Sequence, residues 1–445
     1  MQELLTQYNL HWQKSFKYDL IPRDRYNALL LPLIDRREIL VLKGIRRAGK
    51  SSLLKLIINH LIKKKRTPAK NIAFMNLEDY RFGSEKTVQT LDEIYRAFLA
   101  LKKPKGRVYI LLDEIQEIPG FEKWLRTYYE QNDTVKFIIT GSSSSLFSKE
   151  LATLLTGRQV SVEVFPFSFS EFATYKATKL LKPLLEKPID MLYLSKAFPK
   201  IEPLLRQYLD NGGFPEMIKQ DKPESNILAL QQYIGDIILR DITQRYNIRK
   251  IEVLQKLALY LIFNMSNGIN VTRIAEMIGS NRTTVLDLIS YLQEVYMIFT
   301  TSCFSFSINE QLTSTKARKI YCIDNGFFAA INTNEKQDFA KKMRNAVFQQ
   351  LRFQWQEDVF YWKNKVEIDF ILKSGLPIGV TVKDEEIDAQ ISRIFYFMQR
   401  HNVKKGLLIN WKRLQIIDEN EQSIVMLPLW IFLTKSRAEI LGYEE

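Results

Sequence analysis

The stretch EILVLKGIRRAGKSSLLKLII, residues 38–58, constrains the fold of this chain more than any other. An apolar run, Ile39 to Leu42, passes into GIRRAGKS and then into a segment with leucines at helical spacing. Strand, loop and helix in that order fit G-x-x-x-x-G-K-S, a loop that wraps phosphates. Gly44 and Gly49 permit the tight turn. The backbone N–H groups of Ile45, Arg46, Arg47, Ala48 and Ser52 are expected to join theirs around phosphate at a helix N-terminus. Lys50 is expected to reach the β- and γ-phosphates, and the Ser51 hydroxyl to ligate Mg²⁺. The expectation is an α/β domain that takes ATP and ADP, with ATP and Mg²⁺ as cofactors.

Further along, VYILLDEIQ reads as a buried strand that delivers Asp113 and Glu114 at its end. Asp113 is expected to complete the Mg²⁺ shell with Ser51, the Walker B role. Glu114 is the candidate base that activates the attacking water, set against a plain surface acid. A third strand, VKFIITGSSSSLF, ends in a hydroxyl-rich loop. Thr140, Ser142 or Ser143 there either contacts the γ-phosphate region or forms an ordinary Ser/Gly turn. Arg158, isolated in a Gly-Arg step, is either an arginine finger acting on a neighbouring subunit or a solvated arginine at a strand start. In NLEDYRF, Glu78 and Asp79 either face the γ-phosphate region or cap a turn.

GIRRAGKSSLL, LLDEIQ, ITGSSSSL, LTGR, PFSFSEF and GGFPE stand here in an order that resembles a large bacterial and archaeal family of AAA+/STAND-like P-loop ATPases. The resemblance implies a P-loop domain, a winged-helix region and a nuclease-like C-terminal domain. It also implies a strand inserted between the P-loop strand and the Walker B strand, and a Gly-x-Pro, here Gly213-Phe214-Pro215, beside the nucleotide base. Arg240 and Arg245 are lid arginines that either sense the γ-phosphate or pair with Asp236 or Asp241.

With 445 residues the chain is too long for one ordinary core. The expected domains are 1–168 (AAA+-like ATPase), 169–250 (helical lid), 251–330 (winged helix) and 331–445 (nuclease-like α/β). VTRIAEMIGSNRTTVLDLISYLQEVYMIF reads as a helix-turn-helix, packed through Ile274, Ala275, Ile278, Val285, Leu288, Ile289 and Leu292, with Gly279 at the turn. Asn281, Arg282 and Thr283 are its candidate groove contacts, and Lys316, Arg318 and Lys319 its candidate phosphate contacts. DNA binding and plain packing against the ATPase are both open readings of this module. The formal charge of +14 favours anionic partners without selecting one.

The back of the chain reads helix, strand, strand, strand, helix, strand, the order of a restriction-endonuclease-like core. Such a site holds Mg²⁺ with two or three carboxylates and a Lys. Asp369, with Glu367, is on the strand VEIDFIL, and Thr381 and Lys383 are expected on one face of PIGVTVK. Thr381 stands where a second carboxylate is needed, and by the resemblance Arg344 stands where relatives carry Glu. Glu385 substitutes only if the strand continues. The expectation is a disabled metal site and no cleavage, with an ATP-regulated nuclease or a nucleotide-gated DNA-binding scaffold as competing readings. A P-loop kinase is disfavoured, because the Asp113-Glu114 pair suits water activation.

Two cysteines, Cys303 and Cys322, and three scattered histidines make neither a zinc site nor a triad. No signal-like segment opens the chain, and the run MLPLWIFL is short of a membrane span. The expected protein is cytoplasmic, without a membrane segment, with a second copy of itself as a candidate partner.

Overall fold

Five short apolar runs form one parallel sheet: β1 (Ile39–Lys43), β2 (Ile72–Asn76), β3 (Val108–Asp113), β4 (Val135–Gly141) and β5 (Gln159–Glu163). The order is β2-β3-β4-β1-β5. Helices cover both faces of such a sheet, so its central strands read as continuous apolar runs without alternation. Every residue of β3 and β4 is buried. The helices Val88–Lys102 and Phe121–Gln131 contribute Phe98, Phe121, Trp124 and Leu125 to the core against β2, β3 and β4. The inserted strand implied by the resemblance is β4, paired with β1 on one side and β3 on the other.

The free edge of β2 is covered from the N-terminus. Asn9 Nδ2 donates to Phe74 O at 2.9 Å and its Oδ1 accepts from Phe74 N at 2.6 Å. One side-chain amide thus completes the ladder that a neighbouring strand would have supplied, blunting an edge that would otherwise template association. Trp12 Nε1 adds a bond to Ile72 O at 2.8 Å.

This computed structural model describes residues 1–83, 86–142, 156–185, 191–219, 223–313, 316–332 and 338–442. The chain divides into two compact units, Met1–Phe165 with Glu294–Tyr296, and Pro166–Gln293 with Met297–Glu445. The second unit begins with the helices Phe169–Leu185, Met191–Asn211 and Pro223–Asp236. The helices Val271–Met277 and Arg282–Glu294 follow, joined through Gly279 at φ +67°. Asn281 Oδ1 accepts from Thr284 N at 2.8 Å and caps the latter helix. An antiparallel pair comes next, β6 (Ile298–Thr301) with β7 (Lys319–Cys322).

A mixed sheet closes the chain: β8 (Val359–Lys363), β9 (Glu367–Leu372), β10 (Pro377–Val380), β11 (Lys405–Asn410), β12 (Gln415–Glu419) and β13 (Gln422–Pro428). Its order is β12-β13-β11-β10-β9-β8. The helix Ile387–His401 contributes Ile394, Phe397 and Met398 to the core against it. One expectation is corrected here. β10 ends at Val380, so Thr381 and Lys383 do not share a strand face. The chain turns into a short 3-10 segment, Asp384–Glu386, which leaves Glu385 exposed outside the sheet.

The GGFPE motif has a packing reason within the second unit. Gly213 N donates to Asp324 Oδ2 at 2.7 Å, and Gly326 N donates to Oδ1 at 2.8 Å. A Cβ on Gly212, at φ +75°, would lie 1.6 Å from Asp324 Oδ1, and one on Gly213 would lie 2.1 Å from Phe167 O. Phe167 N donates to Gly213 O at 2.7 Å. One buried carboxylate therefore ties GGFP to the start of the helix Asn325–Ile331, and the Phe167–Gly213 backbone bond adds PFSF.

Candidate functional site

The site is built at the carboxyl edge of the parallel sheet, where ligands of such sheets collect. Asn76 is level with Asp113, Leu42 with Thr140 and Lys43 with Gly141. The loop leaving β1 starts at Gly44, at φ +154°, where a Cβ would fall 2.0 Å from Val164 O. Only glycine fits there. Gly49, at φ +98°, ends the loop, and the helix Lys50–Lys63 starts at the next residue. The N-terminus of that helix points its free N–H groups into the loop, a ready site for anionic oxygens.

Lys50 is buried, and its Nζ donates to Gly44 O at 3.0 Å and Ile45 O at 3.1 Å. Glu114 Oε1 lies 3.6 Å from the same nitrogen. Asp113 accepts from Thr140 Oγ1 at 2.6 Å and is hydrogen-bonded to Ser51. Burial first, and then the neighbouring Glu114 charge, push the Asp113 carboxyl above its ordinary range. Burial acts on Glu114 in the same sense, but the Lys50 ammonium, the Gln116 amide and the Arg46 charge outweigh it and leave Glu114 below its usual value. The two adjacent acids are thereby shifted in opposite directions.

Glu114 sits in the left-handed region, φ 55° and ψ 54°, at a cost of about 1–2 kcal/mol for a residue with a Cβ. Its N–H donates to Thr140 Oγ1 at 2.9 Å, which compensates part of that strain. Thr140 thus accepts from one acid's backbone and donates to the other acid's side chain. Of the three hydroxyls singled out in ITGSSSS, Thr140 holds the two acids. Ser142 Oγ accepts from Gln116 Nε2 at 3.4 Å, and Ser143 lies outside the described residues.

The remaining expected residues fall in different places. Glu78 pairs with Arg46 of the phosphate loop at 2.8 Å. Asp79 caps the turn Tyr80–Phe82 through Arg81 N and accepts from Tyr8 Oη at 2.5 Å, so for Asp79 the turn-cap alternative holds. Arg158 stands at the start of β5, where its O accepts from Ile39 N, and its side chain pairs with Glu130 at 3.1 Å. That is the amino end of β1, opposite to the phosphate loop of its own chain. Arg240 and Arg245 lie on the helical stretch from Ile237 to Tyr246 of the second unit.

Two positions that support the site carry no motif. Arg23, buried, donates from Nη1 to Ala48 O at 3.2 Å and Phe165 O at 3.0 Å, fixing the back of the phosphate loop. Gln116 Nε2 donates to Glu114 Oε2 at 2.5 Å. Gln116 was legible only as a polar residue two positions beyond the acid pair; Arg23 left no signal.

The donor set suits Mg²⁺, which keeps much of its water and takes one or two protein oxygens with phosphate. Ser51 and Asp113 supply those oxygens, already bonded to each other. Among the described residues no three His, Cys, Asp or Glu converge as a self-sufficient metal cage.

In the second unit, Asp369 meets a cation of the chain itself. Arg344 Nε donates to its Oδ1 at 2.8 Å, and Val380 N donates to its Oδ2 at 2.9 Å. Glu367 is taken by Lys319 at 2.6 Å and Lys363 at 3.3 Å. Thr381 Oγ1 donates to Lys383 O at 3.2 Å, while the exposed Lys383 pairs with Glu386.

The N-terminal unit is an AAA-like P-loop domain by its strand order and site. The AAA domain family matches residues 36–173, and a family described as a domain of unknown function (DUF8612) matches residues 202–338. An uncharacterized protein of Methanocaldococcus jannaschii, MJ1544, is 28% identical over 415 residues, covering 88% of this chain and 87% of its own. An uncharacterized protein of Haemophilus influenzae is 27% identical over 362 residues, covering 80% of this chain and 84% of its own. A solved structure of the Aeropyrum pernix ORC1 protein in complex with DNA aligns over 73% of this chain and 96% of its own, at 15% identity and a TM-score of 0.29. The S. cerevisiae Hsp104–ADP complex aligns over 65% of this chain and 41% of its own, at 16% identity and a TM-score of 0.35. At scores this low, the strand order and site geometry carry the fold class. No helix among the described residues is long and apolar enough to cross a membrane.

Proposed function

We propose that this chain binds ATP with Mg²⁺ and hydrolyses it. The observation that carries the reading is the convergence of Lys50, Ser51, Asp113, Glu114 and Thr140 at one sheet edge. The N–H groups from Gly44 to Ser52 hold the phosphates, and Ser51 and Asp113 hold Mg²⁺. The ion neutralises charge on the β- and γ-phosphate oxygens when bound. Lys50 exchanges the loop carbonyls and Glu114 for phosphate oxygens, a stronger partner for its charge. Glu114, released from Lys50, takes a proton from water, and Thr140 keeps both acids aimed. Phosphate release by the wild type and by Lys50→Ala tests this; equal turnover and equal nucleotide affinity would end the reading.

The finer assignment follows the expected boundaries: a helical lid over 169–250, a winged helix over 251–330 and a nuclease-like fold from 331. Nucleotide state repositions the latter two, with DNA as the partner. Exposed Asn281, Arg282 and Thr283 at the start of the helix Arg282–Glu294 support that partner. The nuclease-like fold does not cut, because Arg344 already neutralises Asp369. Arg158, remote from its own phosphate loop, acts only across a subunit boundary in a homo-oligomer, or not at all.

A further inference from the structure

A cleft of about 530 Å³ opens in the second unit between the segment Cys303–Ser307, the end of β8 and the end of the helix Ile387–His401. Phe306 is its most unusual residue, an aromatic ring 57% exposed. An exposed phenylalanine on a loose loop would mean little. This ring is held on several sides. Phe304 meets it edge-on at 4.8 Å, and His401 packs at 5.0 Å with planes 36° apart. Its edge rests 3.3 Å from where a Cβ on Gly375 would stand, and Gly375 adopts φ +86°. Trp362 supports His401 from the side, at 5.7 Å and nearly perpendicular. The ring is thus held by its neighbours while more than half of the residue stays exposed.

The rim is cationic. Exposed Lys316, Lys363 and Arg400 line the cleft; Lys363 also pairs with Glu367 at 3.3 Å, and the lining acid, Glu310, accepts from Ser305 Oγ at 2.7 Å. The Lys316 ammonium donates to Lys363 O, which anchors one cation at the β8 end. Burial, and then the Arg400 charge, hold His401 below its usual pKa, so the aromatic wall is uncharged near neutral pH. A fixed aromatic face ringed by cations is the arrangement that takes a base by stacking and its phosphates by charge. A second copy of the chain, docking through the same patch, would bring like charges together. A duplex keeps its base faces stacked inside and offers none to Phe306.

We propose that this cleft binds single-stranded nucleic acid, one base on Phe306 and the flanking phosphates on Lys316, Lys363 and Arg400. This site is separate from the helix-turn-helix and does not require ATP turnover.

The test is fluorescence anisotropy of a short labelled oligothymidylate, without nucleotide, on the full chain and again on Lys50→Ala. Loss of binding by Phe306→Ala, on the order of ten-fold or more, with retention by Phe306→Trp, is the expected result. Lys363→Glu is expected to lower the slope of log affinity against log salt by about one or more. Melting curves confirm that each variant is folded. The proposal is overturned if both variants bind like the wild type, or if blunt duplex binds as tightly and shows the same Phe306 dependence. It is equally overturned if polyglutamate competes as well as the oligonucleotide. A change in oligomeric mass by light scattering, with binding unaltered, assigns the patch to a self-interface instead. An inert ATPase that still binds the oligonucleotide leaves this proposal standing, so the two readings fail separately.

Discussion

Arg344 and Asp369 form a direct ion pair, Nε to Oδ1 at 2.8 Å, on neighbouring elements of the C-terminal sheet domain. On the proposed nuclease-like reading, the carboxylate that would hold Mg²⁺ is given instead to a guanidinium. The second carboxylate oxygen is taken by Val380 N. The cation a metal would supply is already covalently part of the chain.

Removing Arg344 leaves the buried Asp369 carboxylate without its cation, with Val380 N as its remaining donor. Arg344→Ala is expected to destabilise the second unit by about 3 kcal/mol or more, because an unpaired buried charge is costly. Urea unfolding monitored by tryptophan fluorescence measures it. No Mg²⁺- or Mn²⁺-dependent cleavage is expected from the wild type on plasmid or oligonucleotide substrates. Cutting that disappears with Asp369→Ala would contradict this reading of the pair.

Lys50 and Glu114 touch in the structure but should separate kinetically. Glu114→Gln is expected to bind ATP about as well as the wild type while turnover falls about 10²-fold or more. Lys50→Ala is expected to weaken nucleotide binding itself. Equilibrium binding and phosphate release, measured on the same samples, distinguish the two patterns; identical patterns would mean Glu114 is not the base.

Thr140 acts through its neighbours. Thr140→Val removes the acceptor for Glu114 N and the donor to Asp113, leaving buried groups unmatched at about 1–3 kcal/mol. Turnover should fall with nucleotide affinity nearly retained, and Thr140→Ser should restore most of it. A loss of affinity equal to the loss of turnover would argue for a purely structural role.

Asp324 predicts a pH dependence. Burial raises its carboxyl from 3.8 to about 7, against two backbone N–H donors that lower it. The folded state therefore binds this proton more tightly than the unfolded chain. That contribution is complete below the unfolded value and is lost as pH rises toward 7, by up to about 1.4 kcal/mol per pH unit. Stability of the second unit should decline over that window and level above it. Asp324→Asn should flatten the profile, while costing stability because one Gly N–H loses its acceptor. A wild-type profile rising with pH through the same window would refute the assignment.

The fate of particular residues shows where sequence reasoning stops. GIRRAGKS and LLDEIQ were readable because loop geometry and phosphate chemistry fix residue types at fixed local spacing. Asp79 and Glu78 stand side by side in sequence, yet one caps a turn and the other pairs with Arg46; no local pattern separates them. Thr381 and Lys383 obeyed strand alternation only on paper, because β10 stops at Val380 and the chain turns into Asp384–Glu386.

The sequence by itself determined the phosphate loop and its acid pair, since each depends on residue identity within a few positions. The tertiary structure alone decided that Thr140 aims both acids, that Arg23 braces the loop from outside the motif, that Arg344 fills the charge opposite Asp369, and that Phe306 is fixed beside Gly375 and His401. Those relationships join residues far apart along the chain, and only packing brings their atoms within bonding distance.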